Sequence, residues 1–370
     1  MLAKERLHTS QSFIGFMISV LIISSCEKLK LKENEMEGQW ATMYFPHSPL
    51  SQWETISPAD LQWKDIDVQS LLQFLEEKNT KAFIILKNGR IALETYFGGT
   101  HVQTPLPWFS AGKTITAFLV GLAQEEGYIN IEESISKYLG SGWTSMTATQ
   151  EMAITVRDQL SMTTGLDYKV EDLFCIHREC LQYAYPAGTK WYYHNAPYTL
   201  LTRVIDQSVS GGFDRFFNIW LKDRIGMQGF WAQLGFNEVY FSNARSMARF
   251  GLLMLNNGIW ANQTVMNDNQ YFKDMIRPSQ NFNISYGYLW WLNGKQSIIY
   301  PGSTQVFHTS LIPSAPEDLY AGLGLNDQKL YVVPSQGLVI VRLGEASGDS
   351  LLGPSSFDEQ LWQRLQWILK

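Results

Sequence analysis

Cysteine is scarce in this 370-residue chain, three residues in all, so a disulfide-built scaffold is excluded and no Cys/His set is spaced to complete a four-ligand metal centre. Histidine is equally thin: the six present are scattered, and no His-Glu-x-x-His stands among them. The Gly-x-Ser-x-Gly elbow of many serine hydrolases is absent too. Lysine and arginine never cluster, and with a net charge of −6 the chain lacks the concentrated positive charge that nucleic acid requires. No internal repeat is visible. What is present is ordinary globular composition, 45% hydrophobic, enough for a large core in one domain or two interleaved ones.

The N-terminus joins basic Lys4 and Arg6 to an apolar run, Phe13 to Ile23, and then to Ser24-Ser25-Cys26. That run is short for a membrane span and fits a secretory signal. Ile23-Ser24-Ser25-Cys26 resembles the bacterial lipobox, whose cysteine becomes the lipidated first residue. A plain signal peptide or an anchor helix are the alternatives. The expectation is a signal over 1–25, a lipid on Cys26, a tether and N-terminal extension over 26–60, and a main domain over 61–370 in the cell envelope, on the periplasmic face or at the outer membrane. In that oxidising setting Cys175 and Cys180 could bridge a loop, two unpaired thiols being the alternative.

Asp67 can cap a helix whose Val68, Leu71, Leu72 and Leu75 share one face. Ala82–Leu86, the pair Asn88-Gly89, and Ile91–Phe97 form a clear hairpin. From about 128 to 280 the pattern is mostly helical, with Ser242 placed to cap a helix through Met247, Phe250 and Met254. Short β-rich runs follow at Tyr286–Trp291, Leu319–Gly324, Lys329–Val333 and Leu338–Leu343, then an amphipathic helix over 356–369. The predicted fold is mixed α/β (α+β): one antiparallel sheet built from both termini, flanked by helices, with the helical stretch inserted as a second lobe.

Ser110 and Lys113 stand one helical turn apart in Pro107-Trp108-Phe109-Ser110-Ala111-Gly112-Lys113, so an amine can reach a hydroxyl and withdraw its proton. Ile115, Phe118, Leu119 and Leu122 fall on the opposite face, while Ala117 and Gly121 leave room for a close neighbour. Spacing alone fits a capping serine beside a solvated lysine equally well, and Ser-x-x-Lys recurs at Ser25 and Ser134. Ser110-Ala111-Gly112-Lys113, Leu160-Ser161-Met162-Thr163-Thr164-Gly165-Leu166-Asp167, the Pro186-Ala187-Gly188 turn and Tyr193-His194-Asn195 together distinguish the first pair. In this order they resemble the serine β-lactamase-related family, which includes class C β-lactamases, D-Ala-D-Ala carboxypeptidases, certain esterases and 6-aminohexanoate-dimer hydrolases. The resemblance runs from about residue 80 to 345.

It implies a β-lactamase/transpeptidase-like fold and a Ser110 acyl-enzyme, with Lys113 and Tyr193 sharing general acid and base work. A phenol beside an ammonium is expected to ionise more readily. Asn195 would contact substrate or Lys113. The family's third motif, a Lys-Thr-Gly or a histidine equivalent, aligns with Leu325-Asn326-Asp327, where the cation is missing; the backbone N–H groups of Ser110 and Gln328 could still form an oxyanion hole. Asp327, Asp167, Tyr168, Trp290 and Trp291 are further candidates for the cleft. The expectation is an esterase or amidase without cofactor, acting on a small-molecule ester or amide. A β-lactamase or D-Ala-D-Ala peptidase acting on the cell wall, and a non-catalytic binding protein that keeps the fold, are the alternatives.

Overall fold

The computed structural model describes residues 42–48, 52–348 and 353–369, and the unit considered below spans Phe45–Lys370. The signal segment, Cys26 and most of the expected tether lie outside the described residues. Residues 52–60 of the expected N-terminal extension are described. Trp53 and Ile56 are buried, and the Trp53 indole N–H donates to Gly89 O at 2.7 Å, so the chain from 52 onward belongs to the folded unit.

The first helix, α1, spans Asp65–Glu77 and begins three residues earlier than a cap at Asp67 requires. Lys64 occupies the N-cap, and Asp65 and Asp67 both sit in the first turn, where carboxylates complement the exposed N–H groups. The hairpin follows as β1 (Thr80–Lys87) and β2 (Arg90–Tyr96). Asn88 and Gly89 both take positive φ, 46° and 83°, the geometry that matches the twist of two joined strands.

The C-terminal part supplies β6 (Trp291–Leu292), β7 (Tyr320–Gly324), β8 (Gln328–Val333) and β9 (Leu338–Gly344). The six-stranded order is β2-β1-β9-β8-β7-β6, and β1 pairs antiparallel with β9 across the whole domain. The run from Tyr286 pairs over far less than its composition predicts: Leu289 at φ 60° interrupts the extended backbone. Strands β8 and β9 are buried at every position because helices cover both faces. On one side α4 (Ala244–Leu255) lies across β1, β8 and β9. Gly251 lets it approach, since a Cβ there would stand 2.4 Å from Val339. On the other side α1 packs with α5 (Ser356–Ile368), their Phe74 and Phe357 rings stacked at 5.7 Å. Between these faces, Lys329 is fully buried and bonds Asp358 of α5 at 2.9 Å and Asp327 at 3.0 Å.

Two expectations for the inserted lobe are corrected. Asn243, not Ser242, caps α4, its side chain accepting from Ser246 N–H. The lobe is also less helical than predicted, for β4 (Phe230–Leu234) and β5 (Asn237–Ser242) form a hairpin that pairs with β3 (Leu106–Pro107) just ahead of Ser110.

Candidate active site

Ser110 sits in a 3-10 turn, Phe109–Gly112, immediately before α2 (Lys113–Glu125). The turn is held from behind by Trp108. Its indole N–H donates to Ser242 Oγ at 2.8 Å and its backbone N–H to Tyr240 O at 2.9 Å, which is where Ser242 is used. Phe109 takes φ 46°, an uncommon conformation for a bulky residue. The helix beyond is buried all round from Lys113 to Ala123 rather than along one stripe. The small residues do admit a close neighbour, as predicted: Tyr271 packs on Gly121, where a Cβ would stand 2.3 Å from its ring, and donates its hydroxyl to Ala117 O at 2.7 Å.

A second helix, α3 (Asn195–Ser208), packs against α2. His194 caps it, with Nδ1 accepting from Ala196 N–H at 3.3 Å, so Nε2 carries the proton and faces Asp167 O at 3.4 Å. Burial pushes His194 down to about 4, and the ring stays neutral as a fastener between Tyr193 and Asn195. Those two neighbours converge on the lysine. Lys113 Nζ donates to Ser110 Oγ at 2.8 Å and to Asn195 Oδ1 at 2.9 Å, and lies 5.2 Å from the Tyr193 ring and 4.4 Å from the Tyr198 ring.

Both hydrogen-bond acceptors of Lys113 are neutral and no carboxylate pairs with it, so burial lowers its pKa to about 7. Tyr193 moves the other way. Burial pushes it up to about 12, opposed by a hydrogen bond with Ser110. The expectation that the neighbouring ammonium would make this phenol easier to ionise is therefore reversed, because the phenol's own burial dominates. Tyr193 is wedged by aromatics: Trp291 stacks on it at 5.9 Å and Tyr286 meets it edge-on at 6.2 Å.

A cavity of about 360 Å³ opens over Ser110, Lys113, Tyr193 and Asn195. Several other predicted residues lie away from it. Gln328 pairs with Gly324 inside the β7–β8 ladder, and its side chain is closed on Gly344 through bonds of 2.7 and 2.9 Å. Asp327 is buried against Lys329 and the Ser355 hydroxyl. Neither borders the cavity; of that turn only Leu325 does. Asp167 contributes its carbonyl to His194, and Tyr168 stacks on Tyr192 at 4.0 Å beside Lys190, lining a separate small hollow. Trp290 and Trp291 are buried, 0% and 2% exposed; Trp291 meets the site by stacking on Tyr193, whereas Trp290 packs on Phe250 and Tyr320.

The structure joins Cys175 to Cys180, with Cα atoms 5.9 Å apart. The loop they close is preceded by Leu173 and Phe174, which wall the cavity together with Leu234, Val239 and Pro301. Sequence reading missed these residues and Tyr198. A signal existed for three of them, Tyr198, Leu234 and Val239. Asn195 and Tyr198 are an i,i+3 pair on the face that meets Lys113, and Phe230–Leu234 with Asn237–Ser242 brackets a Gly235 turn at φ 63°.

Strand β7 lies flush on the Ser110 turn through glycine. A Cβ at Gly322 would stand 3.1 Å from Thr114, and one at Gly324 only 2.4 Å from Trp108 O and 3.0 Å from Ala111 N. The strand thus offers the turn main chain and no side chain, hence no cation.

The family model described as Beta-lactamase matches residues 73–349. No curated protein matches the sequence. Among solved structures, a Bacillus anthracis protein provisionally described as a 6-aminohexanoate-dimer hydrolase aligns with TM-score 0.66 at 18% identity, covering 88% of each chain. A Bacteroides dorei protein provisionally described as a β-lactamase aligns with TM-score 0.66 at 14% identity, over 83% of this chain and 99% of the other. A hydrolase with promiscuous acyltransferase activity aligns with TM-score 0.60 at 14% identity, over 85% and 99%. At these identities the likeness is one of fold.

Proposed function

The chain belongs to the β-lactamase family, and on that premise we propose that it is a serine hydrolase cleaving an uncharged ester or amide through an acyl-enzyme on Ser110. The observation that carries this reading is the bond from Lys113 Nζ to Ser110 Oγ, 2.8 Å, made by an amine that burial holds near neutrality. With its pKa lowered so far toward neutrality, Lys113 is suited to the work of a general base.

In the first step Ser110 Oγ bonds to the substrate carbonyl carbon while its proton passes to Lys113 Nζ. The carbonyl carbon then loses its bond to the leaving oxygen or nitrogen, which takes a proton from Tyr193, itself re-protonated from Lys113. Tyr193 suits this role as a neutral donor, since burial keeps its proton in place. Water repeats the sequence in reverse, and the serine is released with its proton restored.

Charge developing on the carbonyl oxygen needs aimed donors. The Asn293 N–H to Leu319 O bond of 2.9 Å sets which residues of β7 face β6, and the alternation carries on to Leu325. We assign the second donor to the Leu325 N–H, on the edge β6 leaves uncovered, with Ser110 N–H as the first. Gln328, committed to its pair with Gly324, is not available for it.

The lack of a cation on β7 favours esters and neutral amides over β-lactams and free-carboxylate peptides. The test is turnover of p-nitrophenyl esters and of nitrocefin by the wild type and Ser110→Ala. Ester turnover lost in the variant is expected. Nitrocefin turned over faster than the esters would move the reading to a β-lactamase, and ester turnover that survives Ser110→Ala would remove it.

A further inference from the structure

We infer that the cavity over Ser110 is an acyl pocket, and that the substrate class is esters or amides of an uncharged, apolar acyl group of medium length, up to roughly eight to ten carbons. The inference rests on the serine hydrolase reading and adds what the substrate looks like.

Ser110, Lys113, Tyr193 and Asn195 supply the polar groups at the reacting end of the cavity. Beyond them the wall comes from four separate segments and is mainly apolar: Leu173 and Phe174 beside the disulfide, Leu234 and Val239 on the β4–β5 hairpin, Pro301, and Leu325 at the end of β7; of the two polar residues there, Asn237 already accepts from the Thr199 hydroxyl. Phe174 and Leu234 are 42% and 46% exposed, so they form a mouth, whereas Val239 at 5% belongs to the floor. At about 30 Å³ for each water-sized group, a volume of about 360 Å³ takes on the order of a dozen non-hydrogen atoms.

Charge would be poorly received. Lys113 is the sole cation bordering the cavity among the described residues, and the chemistry needs it neutral. Glu238 also borders it, but shares the strand face of its partner Gln233, which looks onto a neighbouring hollow with Asp206 and Asp214. The acyl side of the substrate is the part that fits, because it stays bound to Ser110 through both chemical steps while the leaving group must depart.

The experiment is a p-nitrophenyl ester series from acetyl to tetradecanoyl on the purified full chain, with p-nitrophenyl adipate monoester compared with its methyl ester. Each methylene buried in the cavity should raise kcat/KM by up to about fourfold, with a maximum near octanoyl and a fall by dodecanoyl. The free adipoyl carboxylate should lower kcat/KM at least 50-fold against its methyl ester. Val239→Phe, which fills the floor, should move the maximum to shorter chains. A flat series, an unmoved maximum in Val239→Phe, or equal turnover of the adipoyl pair would overturn the inference while Ser110-dependent acetyl ester turnover kept the hydrolase reading intact. Loss of all Ser110-dependent turnover would instead remove the hydrolase reading, and the pocket's substrate with it.

Discussion

At Lys113 the needs of folding and of chemistry diverge. A buried amine with two neutral acceptors and no carboxylate partner is poorly placed to hold a charge, and the same poverty suits it to the base role proposed for it. The pH dependence follows with a definite sign. Protonation below about 7 should remove the base, so kcat/KM for an ester falls up to tenfold per pH unit on the acid side and levels off above. Tyr193 holds its proton to about 12, so no descending limb should appear between pH 8 and 10. A pH profile measured on the wild type checks both; an acid limb centred near 5, or loss of activity by pH 9 in folded protein, would count against this division of labour. The serine and lysine were legible as residues because i,i+3 spacing places them together whatever surrounds them. The protonation states were not, since they depend on how completely α3, Trp291 and Tyr286 shut out water.

At the scale of elements, β7 and the Ser110 turn behave as one unit. Gly322 and Gly324 allow the strand to lie against the turn, and Gly324, at φ −123°, could hold an alanine without backbone strain. Space alone forbids it. Gly324→Ala should therefore push the strand end from the turn, displace the Leu325 N–H, and lower kcat on the order of 100-fold, the usual cost of losing one oxyanion donor. Steady-state kinetics with circular dichroism and a melting curve would separate this from unfolding; near-normal kcat in a folded variant would contradict the assignment. The hairpin of β1 and β2 was readable from Asn88-Gly89 and its alternating flanks. The β4–β5 hairpin, which walls the cavity, had only the weaker cue of Gly235 between two short runs, and that cue is masked by the helical segments around it. Gln328 looked like a donor in a linear alignment, and only the register of β7 with β8 shows its N–H turned inward.

Across the whole molecule, one antiparallel sheet joins chain segments from both ends, β1 against β9, and the inserted lobe carries α3 and the β4–β5 hairpin to the mouth of the site. Composition and strand order anticipated this architecture, since Leu338–Leu343 had to find a partner and the N-terminal hairpin offered the matching edge. What could not be read was how the sheet is fastened to its cover. Lys329 on β8 pairs with Asp327 and with Asp358 on α5, so Asp327, a candidate for substrate binding by sequence, serves to clamp the end of the catalytic strand instead. In the proposed reaction this architecture delivers an acyl group to a single oxygen, Ser110 Oγ. The direct measurement is acid-quenched mass spectrometry of the protein mixed with p-nitrophenyl butyrate, followed by peptide mapping. A butyryl mass on the peptide containing Ser110, absent in Ser110→Ala, is the predicted result; turnover with no trapped acyl group, or a butyryl mass on a different residue, would contradict it.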